Sequence, residues 1–345
     1  MTDTMPPSTI PATSTLPVPP DKPRRSIGTT IEQYGLLILV AVMIIVFSVL
    51  PSSGPAFRSI LNVQTLVANQ SVGLIVAIAL LFPLAAGFFD FSVGAVASAS
   101  CLLLAATTAT YGWPLWLGIL TALAFGVGIG AGLGWMVAYL QVNPFISTLG
   151  VATLLGGVIF AYTGGLQITN GIPELLPVIG SGSLGGVPII AVVATVIAVA
   201  AWWLMSKTAF GRHFYAVGAN PRATHLLGVD VRRVQLLSFV ASSTTAAVAG
   251  ILLLARQGAA TSDSGMTMLF PALTAVLLGT IVIHVGRPSV PGTVIGLLFI
   301  AVLVSGLTLS GAPAWVGQVF NGAALLIAVA FARLARGSKA AARTV

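Results

Sequence analysis

Charged residues make up only 6% of this 345-residue sequence, against about a quarter in soluble domains, and that scarcity excludes an ordinary water-soluble fold. Acids are the scarcer sign. Asp3, Asp21, Glu32, Asp90, Glu174, Asp230 and Asp263 are the whole set, and no two are placed for paired acid and base work. The single cysteine, Cys101, excludes an internal disulfide and a thiolate metal centre. His213, His225 and His284 lack ligand spacing, so no metal is expected. A phosphate-cradling GxxxxGK[ST] loop is also missing: Lys207 precedes Thr208, but Ser206 stands where that motif needs glycine. The chain thus has no hydrolytic or nucleotide-binding machinery of its own, and no cofactor is expected in it.

Hydrocarbon is what the sequence has, with 57% hydrophobic residues. The apolar runs are roughly twenty residues long, the length a helix needs to cross a bilayer. Alternating ten-residue segments are not seen, which argues against a β-barrel. The sequence predicts an all-α polytopic membrane protein of about ten spans, at 33–50, 65–86, 92–110, 115–140, 145–162, 187–205, 235–255, 269–285, 290–309 and 314–334.

The net charge of +8 could suggest a nucleic-acid partner, but its placement argues against one. With the N-terminus inside, Lys22, Arg24, Arg25, Lys207, Arg212, Arg222, Arg232, Arg233, Arg287, Arg333, Arg336, Lys339 and Arg343 all fall on the cytoplasmic side, as the positive-inside rule requires. Arg58 and Arg256 are the exceptions, each close enough to a span end to snorkel. An even span count with both termini cytoplasmic is therefore expected. Residues 1–32, rich in Pro, Thr and Ser, read as a disordered cytoplasmic tail. A transmembrane domain follows over 33–335, and a basic tail over 336–345. The run at 33–50 is longer than a signal-peptide core and reads as a retained span.

Two longer connections, 163–186 and 257–268, lie on the expected outer face and read as ordered turns. Gly126, Gly128, Gly130, Gly132 and Gly134 give overlapping GxxxG pairs in the fourth span, a helix-packing pattern.

The largest polar interruption is 206–234. Asn220 suits an N-cap, Pro221 the first helical position and Gly228 a left-handed end. Between them RATHLL makes about two turns, too short to stand alone in water. It either seals the loop against the bilayer or docks a partner.

Asp90 admits two roles, because a carboxylate at mid-bilayer is costly. It caps the third span through the N–H of Ser92 or Val93, or it faces a pathway. Asn69, Gln70, Ser92 and Asn143 are the other candidates for a substrate pathway, although the amides serve equally as interhelical bonds.

Three segments carry a resemblance to a known family: DFSVG at 90–94, VNPFISTLGVATLLGGVIFAYTGG at 142–165, and TAFGRHFYAVGANPRATHLLGVDVRRV at 208–234. The chain resembles the permease subunits of bacterial ABC importers of the ribose type, related more distantly to branched-chain amino-acid permeases. It departs from that pattern at Phe88 and Phe91, at Met268 to Phe270, and at GTIVIHVG over 279–286.

The resemblance implies a coupling segment in which Gly211, Arg212, Gly218, Asn220, Pro221, Arg222, Leu226 and Gly228 engage a separate ABC ATP-binding subunit, which holds the ATP. It also implies an extracytoplasmic solute-binding protein, a second permease subunit, identical or not, and residence in the bacterial plasma membrane. The expected solute is a monosaccharide. The competing expectations are an ion-gradient-coupled secondary transporter, a non-transporting assembly subunit, and an ABC permease for amino acids, autoinducer or nucleosides.

Overall fold

A computed structural model of the chain describes residues 27–283 and 286–341, with side chains described over 34–283 and 286–330. The expected disordered tail therefore lies largely outside the described residues, as do His284 and the side chains of the basic C-terminal segment. The helices are α1 (Ile27–Val49), α2 (Gly54–Phe57), α3 (Ile60–Ala85), α4 (Val93–Ala105), α5 (Leu115–Ala138), α6 (Pro144–Thr163), α7 (Leu175–Ser181), α8 (Ile189–Lys207), α9 (Ala209–Ala219), α10 (Pro221–Leu226), α11 (Val231–Gln257), α12 (Ser264–Gly279), α13 (Val290–Leu309) and α14 (Ala314–Ala341). A two-stranded hairpin, β1 (Ser183–Leu184) with β2 (Val187–Pro188), is antiparallel.

The fold is all-α, and seven of its helices are long and apolar enough to cross a membrane: α3, α4 with its extension to Thr110, α5, α6, α8, α11 and α13. The remaining expected spans fall on α1, α12 and α14, whose apolar stretches Tyr34–Val49, Ser264–Gly279 and Ala314–Ala330 are shorter. The span expected at 269–285 is displaced, because α12 starts at Ser264 and ends at Gly279. Pro271 is the eighth of its sixteen residues, past the first turn, so α12 forgoes the bond that an N–H there would donate to the Thr267 carbonyl.

Local chemistry sets the helix ends. Side-chain oxygens of Ser59, Asn143, Asn220, Asp230 and Ser289 accept backbone N–H groups at the starts of α3, α6, α10, α11 and α13, satisfying donors that a helix leaves unpaired. Past α4 the chain widens into a π-helical turn at Ala106–Thr110. There the Thr107 and Thr108 hydroxyls donate to the carbonyls of Leu103 and Leu104.

The core gathers around α11, which packs against α5, α4, α3 and α7, while α12, α13 and α14 form a neighbouring group. The α5–α11 contact is a glycine seam. Cβ atoms on Gly126, Gly130 and Gly134 would come within 2.6 to 2.8 Å of α11 atoms at Ala247, Phe239 and Leu236. Gly128 and Gly132 meet nothing within 4 Å, so one register of the expected GxxxG pattern makes the contact and the other does not.

The two longer connections are ordered against each other. Ile168 and Ala260 exchange backbone bonds of 3.0 and 2.9 Å, and the hydroxyls of Thr163 and Ser262 are 3.3 Å apart.

The turn from α3 into α4 is recessed. Asp90 bonds Ser242, the twelfth residue of α11, so α4 begins roughly 16 Å up α11 at 1.5 Å per residue. Helix α9 packs against the end of α3 and against α11 beneath this turn.

Candidate functional site

Within residues 206–234 the sequence predicts one short helix, and the structure has two. Helix α10 has the expected form. Asn220 Oδ1 accepts the Ala223 N–H at 3.1 Å, Pro221 is the first residue, and Gly228 takes φ +81°. The Thr224 hydroxyl donates back to the Asn220 carbonyl at 2.8 Å and is buried beneath the helix.

Helix α9 is the correction. Gly211 and Gly218 read as loop residues because glycine weakens a helix by about 1 kcal/mol relative to alanine. Packing overrides that cost. A Cβ on Gly211 would run into the Met205 carbonyl at the end of α8, and one on Gly218 into the Ala85 carbonyl at the end of α3. The legible signal was the spacing of Phe210, Phe214 and Val217, which share one helical face.

That face anchors the segment. Phe214 and Val217 are fully buried, Phe214 meeting the Phe82 ring edge-on at 6.4 Å and Phe210 at 4.3 Å. The Tyr215 hydroxyl donates to the Pro288 carbonyl at 2.8 Å, and the Arg287 guanidinium lies 3.6 Å from the centre of its ring. Burial raises the Tyr215 phenol above its ordinary value, and the cation of Arg287 opposes that. Thus α9 is tied to α8, α3 and the approach to α13, and α10 extends from it.

The outward side of α10 is apolar where solvent-facing helices are usually polar. Leu226 and Leu227 are 86% and 82% exposed, with Arg212 and Arg222 exposed nearby in sequence. Beside them a cleft of about 1210 Å³ is lined by Tyr139, Gln141 and Asn143 on one wall and by Arg222, His225 and Arg232 on the other. Gln141 holds φ +56°, unusual for a non-glycine residue. Arg233 is paired with Asp230 at 2.9 Å, leaving Arg232 5.9 Å from the Tyr139 ring centre.

The candidate pathway residues do not share one surface. Asp90 and Ser92 are buried together. Asp90 Oδ1 accepts both the N–H of Ser92 (3.0 Å) and its hydroxyl (2.5 Å), while Oδ2 accepts the Ser242 hydroxyl at 2.7 Å. Asn69 lies on α3 sixteen residues before its end, roughly 24 Å away along the axis, where it accepts from Arg256 Nε at 3.0 Å. Gln70 is half-buried on the same turn. Asn143 is spent on capping α6, accepting the N–H groups of Phe145 and Ile146 at 2.9 and 3.4 Å. Ser242 escaped the sequence reading, although the Ser-Ser-Thr-Thr run at 242–245 is conspicuous in an apolar helix.

The described residues hold no group of His, Cys, Asp and Glu side chains fit for a metal ion, and Cys101 is fully buried in α4. Residues 62–329 match the family model of the branched-chain amino acid transport system permease component.

The chain belongs to that permease family.

Among its relatives, the ribose import permease protein of Haemophilus influenzae is 30% identical over 302 residues, covering 87% of this permease and 92% of its own length. The ribose import permease protein of Bacillus subtilis is 31% identical over 299 residues, 86% and 92% of the two chains. The autoinducer 2 import system permease protein LsrD of Klebsiella pneumoniae is 32% identical over 260 residues, 74% and 78%. No solved structure matches this permease. The family is one of transport permeases, and this chain is a multi-pass membrane protein of that kind.

Proposed function

We propose that this permease is the membrane subunit of an ATP-driven importer of a monosaccharide of the ribose type. It works as a pair of permeases in the bacterial plasma membrane, with ten spans and both termini in the cytoplasm. A separate ATP-binding subunit docks on α10, and a solute-binding protein delivers the sugar from outside. ATP itself is held by the docked subunit.

The observation that carries this reading is the anchored α9–α10 segment, which presents Leu226 and Leu227 exposed, with no cover among the described residues. Helix-in-groove recognition needs such apolar anchors on a short helix. The α9 contacts with α3 and α8 give the docked surface a stiff connection to the bundle. The sugar assignment is supported by relatives whose names specify ribose import at 30% to 31% identity over most of both chains. Alternating access follows when the docked subunits close on ATP and move α10, turning the central path from one side to the other.

Reconstitution tests the reading. Liposomes holding the permease, its ATP-binding partner and the binding protein are expected to take up labelled ribose only with internal ATP. Uptake by the permease alone under a pH or sodium gradient would replace this reading with secondary transport.

A further inference from the structure

We infer that the turn joining α3 to α4, residues 86–92, is a second coupling element that passes movement of α9 and α10 to α11, with Asp90 as the positioning residue at the joint. The inference rests on the coupling role proposed for α10 and deepens it. The turn touches both of the elements that must communicate, which also meet each other directly. On one side it meets α9: a Cβ on Gly87 would be 3.4 Å from the Gly218 Cα, and one on Gly218 would strike the Ala85 carbonyl. Backbone thus presses on backbone, with no side chain between them to absorb displacement.

On its other side the turn is fastened to α11. Asp90 Oδ2 takes the Ser242 hydroxyl at 2.7 Å, and the Phe88 ring lies 6.0 Å from that of Phe239. Oδ1 holds Ser92 by its N–H and its hydroxyl, which fixes the carboxylate to the start of α4. One buried side chain therefore links the α3–α4 turn, the first turn of α4 and the middle of α11.

The hinge residue is Gly87, whose φ of +93° only glycine adopts readily. It separates the end of α3 at Ala85 from the start of α4 at Val93, so a change of angle between the two helices would be taken up there. Farther along, the Ser98 hydroxyl accepts the Gly265 N–H at 2.9 Å, tying α4 to the start of α12. The route runs from α10 through α9, the Gly87 hinge and Asp90 to α11, and through α4 to α12. Asp90 acts on the path by setting helix positions and is itself shut off from any open surface.

Ser242→Ala, with Asp90→Ala as the second variant, tests this in the complete complex with the ATP-binding subunit and the binding protein in liposomes. Three quantities are read: co-purification of the ATP-binding subunit, ATP hydrolysis, and ribose taken up per ATP hydrolysed. Ser242→Ala is expected to keep co-purification and basal hydrolysis while ribose per ATP falls about ten-fold, a loss within the usual range of coupling between sites.

A wild-type ratio in both variants overturns the inference. So does loss of co-purification in Ser242→Ala, because the bond would then hold the fold rather than carry motion. Failure of the wild-type complex to hydrolyse ATP with its partner counts instead against the coupling role of α10, so the two failures are distinguishable.

Discussion

Changing both Arg222 and Leu226 to Glu is expected to abolish co-purification of the ATP-binding subunit and, with it, ATP-driven uptake. Neither side chain supports α10, whose cap is made by Asn220 and whose underside is closed by Thr224, so the helix survives the change. Docking would remove the 86%-exposed Leu226 from water, and a buried anchor of that kind typically contributes 2 kcal/mol or more. Replacing it with a carboxylate adds desolvation of a charge to the lost apolar contact. A combined loss of about 4 kcal/mol lowers affinity roughly a thousand-fold, enough to empty a pull-down. Unchanged co-purification, measured by affinity capture from detergent, would remove α10 from the docking surface.

The glycine seam gives the second large effect together with its own control. Gly130→Leu would drive a side chain into α11, whose Phe239 carbonyl lies 2.6 Å from the position of a Cβ. Backbone cannot yield as a side-chain tip can, so the substitution is expected to cost about 3 kcal/mol and to leave little monodisperse protein. Gly128→Leu sits two residues away in the same helix and meets nothing within 4 Å. It should express and melt like the parent protein, since leucine suits a lipid-facing surface. Detergent-solubilised yield and melting midpoint read both variants, and equal behaviour of the two would contradict the α5–α11 packing.

That pair also marks how far sequence reading extends. The periodic glycines announce close helix contact, but every second residue being glycine satisfies two registers equally, and only the partner helix chooses between them. The apolar runs were legible because bilayer thickness imposes a length: seven of the ten expected segments fall on helices long and apolar enough to cross, and the other three on helices with shorter apolar stretches. Their ends were less so: α12 starts five residues earlier than its hydropathy suggests, since Ser98 draws Gly265 into the bundle and the Ser264 hydroxyl donates to Gln257.

Helix α10 was legible in detail because caps are local chemistry, written in Asn220, Pro221 and Gly228. Helix α9 was hidden by two glycines whose justification lies on α8 and α3, far away in sequence. For Asp90 the bond to the Ser92 N–H followed from spacing, but Ser92 itself is the N-cap of α4 and Asp90 closes the turn before it, whereas the bond to Ser242 spans 152 positions and leaves no local trace. The candidate pathway set was chosen for polarity alone, and polarity does not say whether a group faces a path, a helix end or a neighbour.

The proposed coupling requires segment 206–234 to face the cytoplasm, where a docked ATP-binding subunit can move it. Leu227→Cys offers a direct measurement, because Leu227 is exposed and the native Cys101 is fully buried and stays silent. In cells expressing the permease without its ATP-binding partner, a membrane-impermeant maleimide should leave this position unlabelled while the cells are intact and label it once the membrane is permeabilised. Labelling from outside intact cells would contradict the account.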